Sequence, residues 1–279
     1  MTCHNRRNKT LACLDALANQ TPMTDTRIQV YLVDDGCTDG TAEAVRARHA
    51  QTTVLPGDGT LYWCGGMRKA FAEAMKSDYD YYLWLNDDTV LYPDAVVLLL
   101  GTSRDVQRAG GRQDIVVGTV CDPVTGRRTY GGIRRFGRRP SLGFLPVEPR
   151  DEAQRCETMN GNCVLIPRTV VQKVGNLSPE FTHWLGDLDY GLRAGRAGFS
   201  CWVVSGYVGT CGQNTEGTPW ANPHVPFRER LRILHTPKGL PPWEWAVFCR
   251  RHQRIFWPLS LAKLYARCCF PDLWAPVAG

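Results

Sequence analysis

No run of about 18 apolar residues occurs in the 279-residue sequence, so a membrane-spanning helix is not expected. Residues 1–10 are polar and basic and no apolar h-region follows, which excludes a secretory signal there and points to a cytoplasmic protein. No CxxC pair and no repeating framework organise the twelve cysteines, and adjacent Cys268 and Cys269 are too close for an ordinary zinc site. The cysteines are therefore read as reduced thiols, many of them small core residues. Neither sign of charge dominates: 33 Lys and Arg face 27 Asp and Glu, for a net charge of +6. That mild excess suits diphosphates, anionic lipid or nucleic acid. No helix-turn-helix, zinc-finger, RRM or KH signature is present, so a nucleic-acid partner is not expected. Internal repeats are also absent.

What is present is an ordinary globular composition, 43% hydrophobic and 22% charged, long enough for one large domain plus an extension. Short apolar strands alternate with helical patterns over the first two-thirds, which implies βα units and an open, mostly parallel sheet. Helices are expected over 7–19, 42–49, 65–76, 93–100, 168–174 and 187–197. Strands are expected over 27–33, 52–55, 81–85, 115–120, 162–166 and 200–204. Only Met1 precedes the loop Thr2-Cys3-His4-Asn5-Arg6, where a first central strand would lie, so either the sheet makes do with a stub or the natural start lies upstream. Residues 122–150, rich in Gly, Pro and Arg (Arg127, Arg128, Arg134, Arg135, Arg138, Arg139), read as a long irregular segment. From about Pro241 the composition shifts: Trp243, Trp245, Phe248, Trp257, Tyr265 and Trp274 interleave with Arg250, Arg251, Lys263 and Arg267. Residues 1–240 and 241–279 are accordingly read as a main domain and a helical extension. An aromatic and basic extension of this kind suits peripheral contact with an anionic membrane face, or packing as a helical pair on the domain.

Four segments carry candidate chemistry. Ligands bind at the carboxyl ends of strands in open α/β sheets, which puts Asp34 and Asp35 at the crevice. Thr38 and Asp39 read as turn and helix-cap residues. Asn86-Asp87-Asp88 sets two carboxylates at the end of an apolar strand. That arrangement is costly unless the charges are paired or hold a cation, and Mg²⁺ or Mn²⁺ would be the suitable ion. A capped turn is the simpler alternative. Tyr62-Trp63-Cys64-Gly65-Gly66 offers aromatics, then glycines at a helix start, where phosphate binds well or where a helix packs tightly. Gly186-Asp187-Leu188-Asp189 opens another helix with acids. Asp187 is a candidate general base or an N-cap, and Asp189 faces Arg193 at i+4.

In this order, the segments resemble the family 2 glycosyltransferases. Thr2-Cys3-His4-Asn5-Arg6 resembles the first nucleotide-contacting loop, and Val33-Asp34-Asp35-Gly36-Cys37-Thr38-Asp39 resembles the "VDDGSTD" stretch, with Cys37 for Ser. Asn86-Asp87-Asp88 resembles the DxD motif with Asn in first place, and the 186–193 segment resembles the one bearing the base. Tyr62–Met67 and Asn160–Val164 resemble a bacterial branch with rhamnosyl- and galactofuranosyltransferase-like members. Thr210 stands where many relatives carry a metal-binding His.

The resemblance covers roughly residues 2–240. It implies a GT-A fold and inverting transfer from a UDP- or dTDP-linked sugar to a glycan or lipid-linked acceptor, in cell-surface polysaccharide synthesis. It implies that Thr2 and Asp34 hold the base, with Asn5, Arg6, Asp35, Trp63, Gly65 and Gly66 also at the donor. Asp87 and Asp88 would hold ribose and a divalent cation (Mn²⁺ or Mg²⁺), with Asp88 in direct contact, and Asp187 would be the catalytic base. A catalytically degenerate GT-A fold that binds carbohydrate or a protein partner is the alternative.

Overall fold

The computed structural model describes residues 1–136, 143–213 and 218–274; Arg138 and Arg139 of the basic segment lie outside the described residues. The amino-terminal third is a run of βα units: β1 (Thr2–Cys3), α1 (Arg7–Ala18), β2 (Tyr31–Asp34), α2 (Thr41–Arg48), β3 (Thr53–Pro56) and α3 (Tyr62–Ala74). Strands β1, β2 and β3 form a parallel sheet in that order, with Thr2 opposite Val33 and Cys3 opposite Asp34. The first strand is a two-residue stub, flanked by hydrogen bonds from the Met1 amine to the Tyr31 carbonyl (2.9 Å) and from the Val33 N–H to the Met1 carbonyl (3.0 Å). Residues 27–30 fall short of strand geometry, because β1 offers ladder partners only to the carboxyl end of β2.

The chain continues through β4 (Tyr81–Leu85), β5 (Val90–Leu91), α4 (Ala95–Gly110), β6 (Ile115–Val117) and β7 (Val120–Cys121). Helix α4 runs ten residues beyond the expected Leu100, because Thr102, Ser103 and Val106 continue its buried face. Then come β8 (Arg128–Tyr130), β9 (Gly132–Phe136), β10 (Gly143–Pro146), β11 (Gln154–Cys156), β12 (Thr158–Met159), β13 (Cys163–Pro167), α5 (Arg168–Val174), α6 (Gly186–Arg196), β14 (Cys201–Val203) and β15 (Gly209–Thr210). Residues 122–150 therefore are not irregular throughout: β9 and β10 pair antiparallel, with Phe136 opposite Gly143, and β12 joins on the other side. Arg134 and Arg135 of β9 are both exposed, so no inward–outward alternation of apolar residues marks the strand in the sequence.

The larger sheet has the order β11-β14-β6-β13-β4, and β14, β6 and β4 point the same way, with β13 running against them. One core forms beneath α1 and α4, with Cys13, Leu14, Leu17, Leu99 and Val116; a second joins α3, α5 and α6 to β4, β6 and β13 through Phe71, Trp84 and Tyr190. Three further helices, α7 (Phe227–Leu234), α8 (Pro242–Gln253) and α9 (Trp257–Cys269), close the chain. Phe248 and Cys249 of α8 pack with Phe181, Leu185 and Leu192 around α6. The expected open α/β architecture with flanking helices and a helical carboxyl-terminal part is what forms. All twelve cysteines are free thiols, and all but Cys37 and Cys269 are buried. Among the described residues no helix is long and apolar enough to cross a membrane.

Candidate active site

The loops after β1, β2 and β4 and the start of α6 supply the candidate residues. Among the described residues three non-glycines have positive φ: Asn5 (51°) and Tyr62 (50°) within the motif segments and Leu185 (71°) immediately before the 186–193 segment. Such conformations cost free energy and persist where surrounding contacts over-determine them, commonly at functional sites. Asn5 is held because its Oδ1 accepts from the Thr38 backbone N–H (2.7 Å), tying the first loop to the second. Tyr62 is held because its N–H donates to Asp35 Oδ2 (3.1 Å).

The two acids of the 34–35 pair behave differently. Asp35 is buried, and its Oδ1 also accepts from the backbone N–H groups of Gly59 (2.9 Å) and Leu61 (3.3 Å), so it braces the loop into α3. Asp34 is half-buried and closes its own turn, accepting from Cys37 N–H (2.9 Å) through Oδ1. Asp39 reaches two helix starts, accepting from Thr41 N–H (3.1 Å) and Arg7 N–H (3.0 Å). Thr2 is buried against α3: a Cβ on Gly66 would overlap the Thr2 side chain, so this glycine lets helix and strand meet. Gly65 packs on Leu61.

Strand β4 delivers Asn86, Asp87 and Asp88. One guanidinium nitrogen of Arg6 lies 3.3 Å from Asp87 Oδ1 and 2.9 Å from Asp88 Oδ2. Thr10 donates to the other Asp87 oxygen (3.3 Å). Burial pushes the Asp87 carboxyl up to about 6; the Arg6 charge opposes this, and neighbouring Asp88 adds to it. A single cationic nitrogen shared by two carboxylates marks a point where positive charge is stabilised. The oxygen donors of Asp87 and Asp88 suit a hard divalent cation there. Cys211, just past β15, donates to Asp88 Oδ1 (3.5 Å) and receives a hydrogen bond from Asn162 Nδ2 (3.6 Å). The strand that would bring a His in many relatives thus brings a thiol beside Asp88. Sequence reasoning considered Thr210 and passed over Cys211.

Asn86 links the acids to the rest of the site. Its Oδ1 accepts from the Trp63 indole N–H (2.7 Å). The far edge of that indole lies where a Gly161 side chain would stand, so only glycine fits beneath it. Gly161 N–H in turn donates to Asp187 Oδ2 (2.9 Å), and the Leu188 N–H to Oδ1 (2.8 Å). Burial lifts the Asp187 carboxyl to about 6, while those N–H groups pull it down. That value suits a general base near neutral pH. His183, unassigned from sequence, accepts from Trp63 N–H (3.4 Å) through Nδ1, and burial lowers its pKa to about 4, so the ring is neutral. Asp189 faces inward instead, with Arg193 Nε at 2.8 Å and Arg251 Nη1 and His252 Nε2 of α8 at 2.8 and 2.9 Å. The structure therefore gathers Arg6, Asp87 and Asp88 at one point and joins Trp63 to Asp187 through Gly161. Thr2, Asp35, Gly65 and Gly66 are engaged in contacts within the protein.

Comparison with known proteins gives the family and the fold. The family model for glycosyl transferase family 2 matches residues 1–175. An N-acetylglucosaminyl-diphospho-decaprenol L-rhamnosyltransferase of Mycobacterium tuberculosis is 26% identical over 212 residues, 69% of each chain. Galactofuranosyltransferase GlfT2 of Mycolicibacterium smegmatis is 28% identical over 225 residues, 71% of this chain and 34% of that protein. Among solved structures, the mannosyltransferase PcManGT of Pyrobaculum calidifontis, in complex with GDP-Man and Mn²⁺, superposes with a TM-score of 0.55 at 14% identity, over 100% of this chain and 74% of that one. GalNAc-T7 with UDP, GalNAc and Mn²⁺ gives 0.54 at 13% identity, over 90% and 49%. The chain belongs to glycosyl transferase family 2 and is a glycosyltransferase of the GT-A fold.

Proposed function

We propose that the protein transfers a sugar from a UDP- or dTDP-linked donor to a hydroxyl of a glycan or lipid-linked acceptor, with inversion at the anomeric carbon, in cell-surface polysaccharide synthesis. The observation that carries the reading is the continuous path from the paired acids Asp87 and Asp88, through Asn86, Trp63 and Gly161, to the carboxylate of Asp187. Thr2 and Asp34 would hold the nucleobase. Asp87 would hold the ribose, and Asp88 the divalent cation, Mn²⁺ or Mg²⁺. When bound, that ion supplies positive charge to the departing diphosphate. Asn5 would fix the donor loop, and Arg6 is placed to turn from the acids toward the donor phosphates. Asp35, Gly65 and Gly66 would shape the donor pocket from behind, and Trp63 would form its wall. Asp187 would take the proton from the attacking hydroxyl, its Oδ2 steadied by Gly161 N–H.

The decaprenol in the name of the rhamnosyltransferase relative supports a lipid-linked acceptor. Residues 241–279 would then act as an extension that brings the site to the cytoplasmic face of the membrane. Residues 122–150 would shape the acceptor side.

Titration calorimetry with UDP, dTDP and GDP, each with and without Mn²⁺, tests the donor site. Binding that needs the ion and is lost in Asp88→Ala is the expected result, and the preferred base narrows the sugar. Absence of binding to all three nucleotides would sink the reading.

A further inference from the structure

Beyond the paired acids, a second group of ligating atoms lies between the first two loops. Cys3 ends β1 and Cys37 sits in the turn after β2. Their sulfurs are 3.8 Å apart. Both sulfurs and a carboxylate oxygen of Asp34 lie within 4.8 Å of one another. The backbone enforces this meeting: Cys3 is the ladder partner of Asp34, and Asp34 Oδ1 holds the Cys37 N–H at 2.9 Å. Burial and Asp34 push the Cys37 thiol up, and the Asn5 N–H, which donates to Cys37 Sγ (3.2 Å), opposes them. The strained Asn5 conformation makes that bond reachable.

The spacing has a specific meaning. The two thiols lie at the distance of an S–H···S hydrogen bond, and a tetrahedral ion with Zn–S bonds of about 2.3 Å sets its two sulfurs at roughly the same 3.8 Å. A disulfide, by contrast, requires the sulfurs to close to about 2 Å. Two thiolates and one carboxylate form a softer donor set than the oxygens of Asp87 and Asp88, and select Zn²⁺ over Mg²⁺ or Mn²⁺.

We propose that Cys3, Asp34 and Cys37 form a thiolate site for Zn²⁺, with three protein ligands and a fourth position left for water. Binding exchanges two S–H protons, released to solvent, for two Zn–S bonds. Its consequence for the enzyme rests on the reading of Asp34 given above: a carboxylate that ligates zinc is withdrawn from the nucleobase, so zinc opposes donor binding.

Cobalt(II) serves as a visible probe for zinc. Titration of the full chain should produce a thiolate-to-cobalt charge-transfer band that Zn²⁺ abolishes. The band should persist in Asp88→Ala. In Cys37→Ser, which alters a half-buried turn residue, cobalt affinity should fall roughly tenfold or more. Circular dichroism checks that the variant is folded. No band at saturating cobalt, or a band unchanged in folded Cys37→Ser, overturns the site; the latter result assigns the signal to another of the free cysteines. A second arm measures UDP affinity with and without Zn²⁺. Weakening in the parent but not in Cys37→Ser supports the competition. If the band is present and UDP affinity is unchanged, the zinc site stands and the assignment of Asp34 to the nucleobase falls.

Discussion

Asp187 combines two pulls on one carboxyl group. Burial favours its protonated form, while the N–H groups of Gly161 and Leu188 favour the charged one, and the balance lies at about 6. A base must be ionised to accept a proton, so turnover should rise with pH through about 6 and then level. Asp187→Asn should lower turnover by about 10²–10⁴-fold while leaving nucleotide affinity intact. Initial rates across the pH range, paired with calorimetry of the variant, check this; a flat pH profile would contradict it. The same group bears on stability. Its folded pKa is raised above the ordinary 3.8, so the stability it contributes is present below that value and is lost as pH rises through about 6. Asp187→Asn should therefore resist urea better than the parent at pH 7, by on the order of 1–2 kcal/mol, with the gain vanishing in acid.

At the scale of elements, α6 carries Asp187 at its start and Asp189 two residues further on, aimed away from the crevice. Asp189 is completely buried. Burial alone would raise its pKa, but hydrogen bonds from His252 and Arg251 and the charge of Arg193 outweigh it and hold the carboxyl well below its usual range. A carboxyl depressed in this way contributes stability above its unfolded value, and that contribution is lost as pH falls below it. The bonds join α6 to α8, so the helix that presents Asp187 is anchored by the carboxyl-terminal part of the chain. Arg251→Ala removes one of the charged donors and should cost about 2 kcal/mol in urea denaturation. A change below about 0.5 kcal/mol would place α8 outside the cooperative unit.

The elements also mark how far sequence reasoning reaches. Helices α1, α3 and α6 and strand β4 are legible because their apolar spacing survives in the fold, and consecutive acids after an apolar strand announce Asp87 and Asp88. Strands β8, β9 and β10 are hidden because a half-exposed arginine-rich strand gains its ladder from partners that composition does not reveal. The bonds that assemble the site are hidden too. Arg6 meets Asp87 across 81 positions, and Trp63 meets Asn86 across 23. Cys211 beside Asp88 gave no signal, because a lone cysteine usually reads as a small core residue.

For the whole molecule, the carboxyl-terminal helices present Trp243, Leu259, Phe270, Leu273 and Trp274 to solvent. Arg250 of α8 and Lys263 of α9 are also exposed, so this stretch of chain exposes both apolar and cationic groups. Exposed aromatic and aliphatic groups beside cations suit an anionic lipid interface. In flotation, the full chain should rise with vesicles containing phosphatidylglycerol and stay behind with neutral phosphatidylcholine. A Trp243→Ala, Leu273→Ala, Trp274→Ala variant should fail to float. Equal flotation of that variant and the parent would remove the membrane role.

The three left-handed residues carry a consequence for anyone selecting sturdier versions of this protein. Glycine adopts the backbone angles of Asn5, Tyr62 and Leu185 without their steric penalty, a gain of about 1 kcal/mol in the backbone alone at each position. The same exchanges delete the Asn5 grip on the second loop, the aromatic ring beside His183 and the leucine that packs α6 on α8. Burial of a leucine is worth about 2 kcal/mol, so a library sorted by melting temperature would keep Leu185 and admit glycine first at the exposed Asn5, whereas one sorted by product formation would keep Asn5 as well.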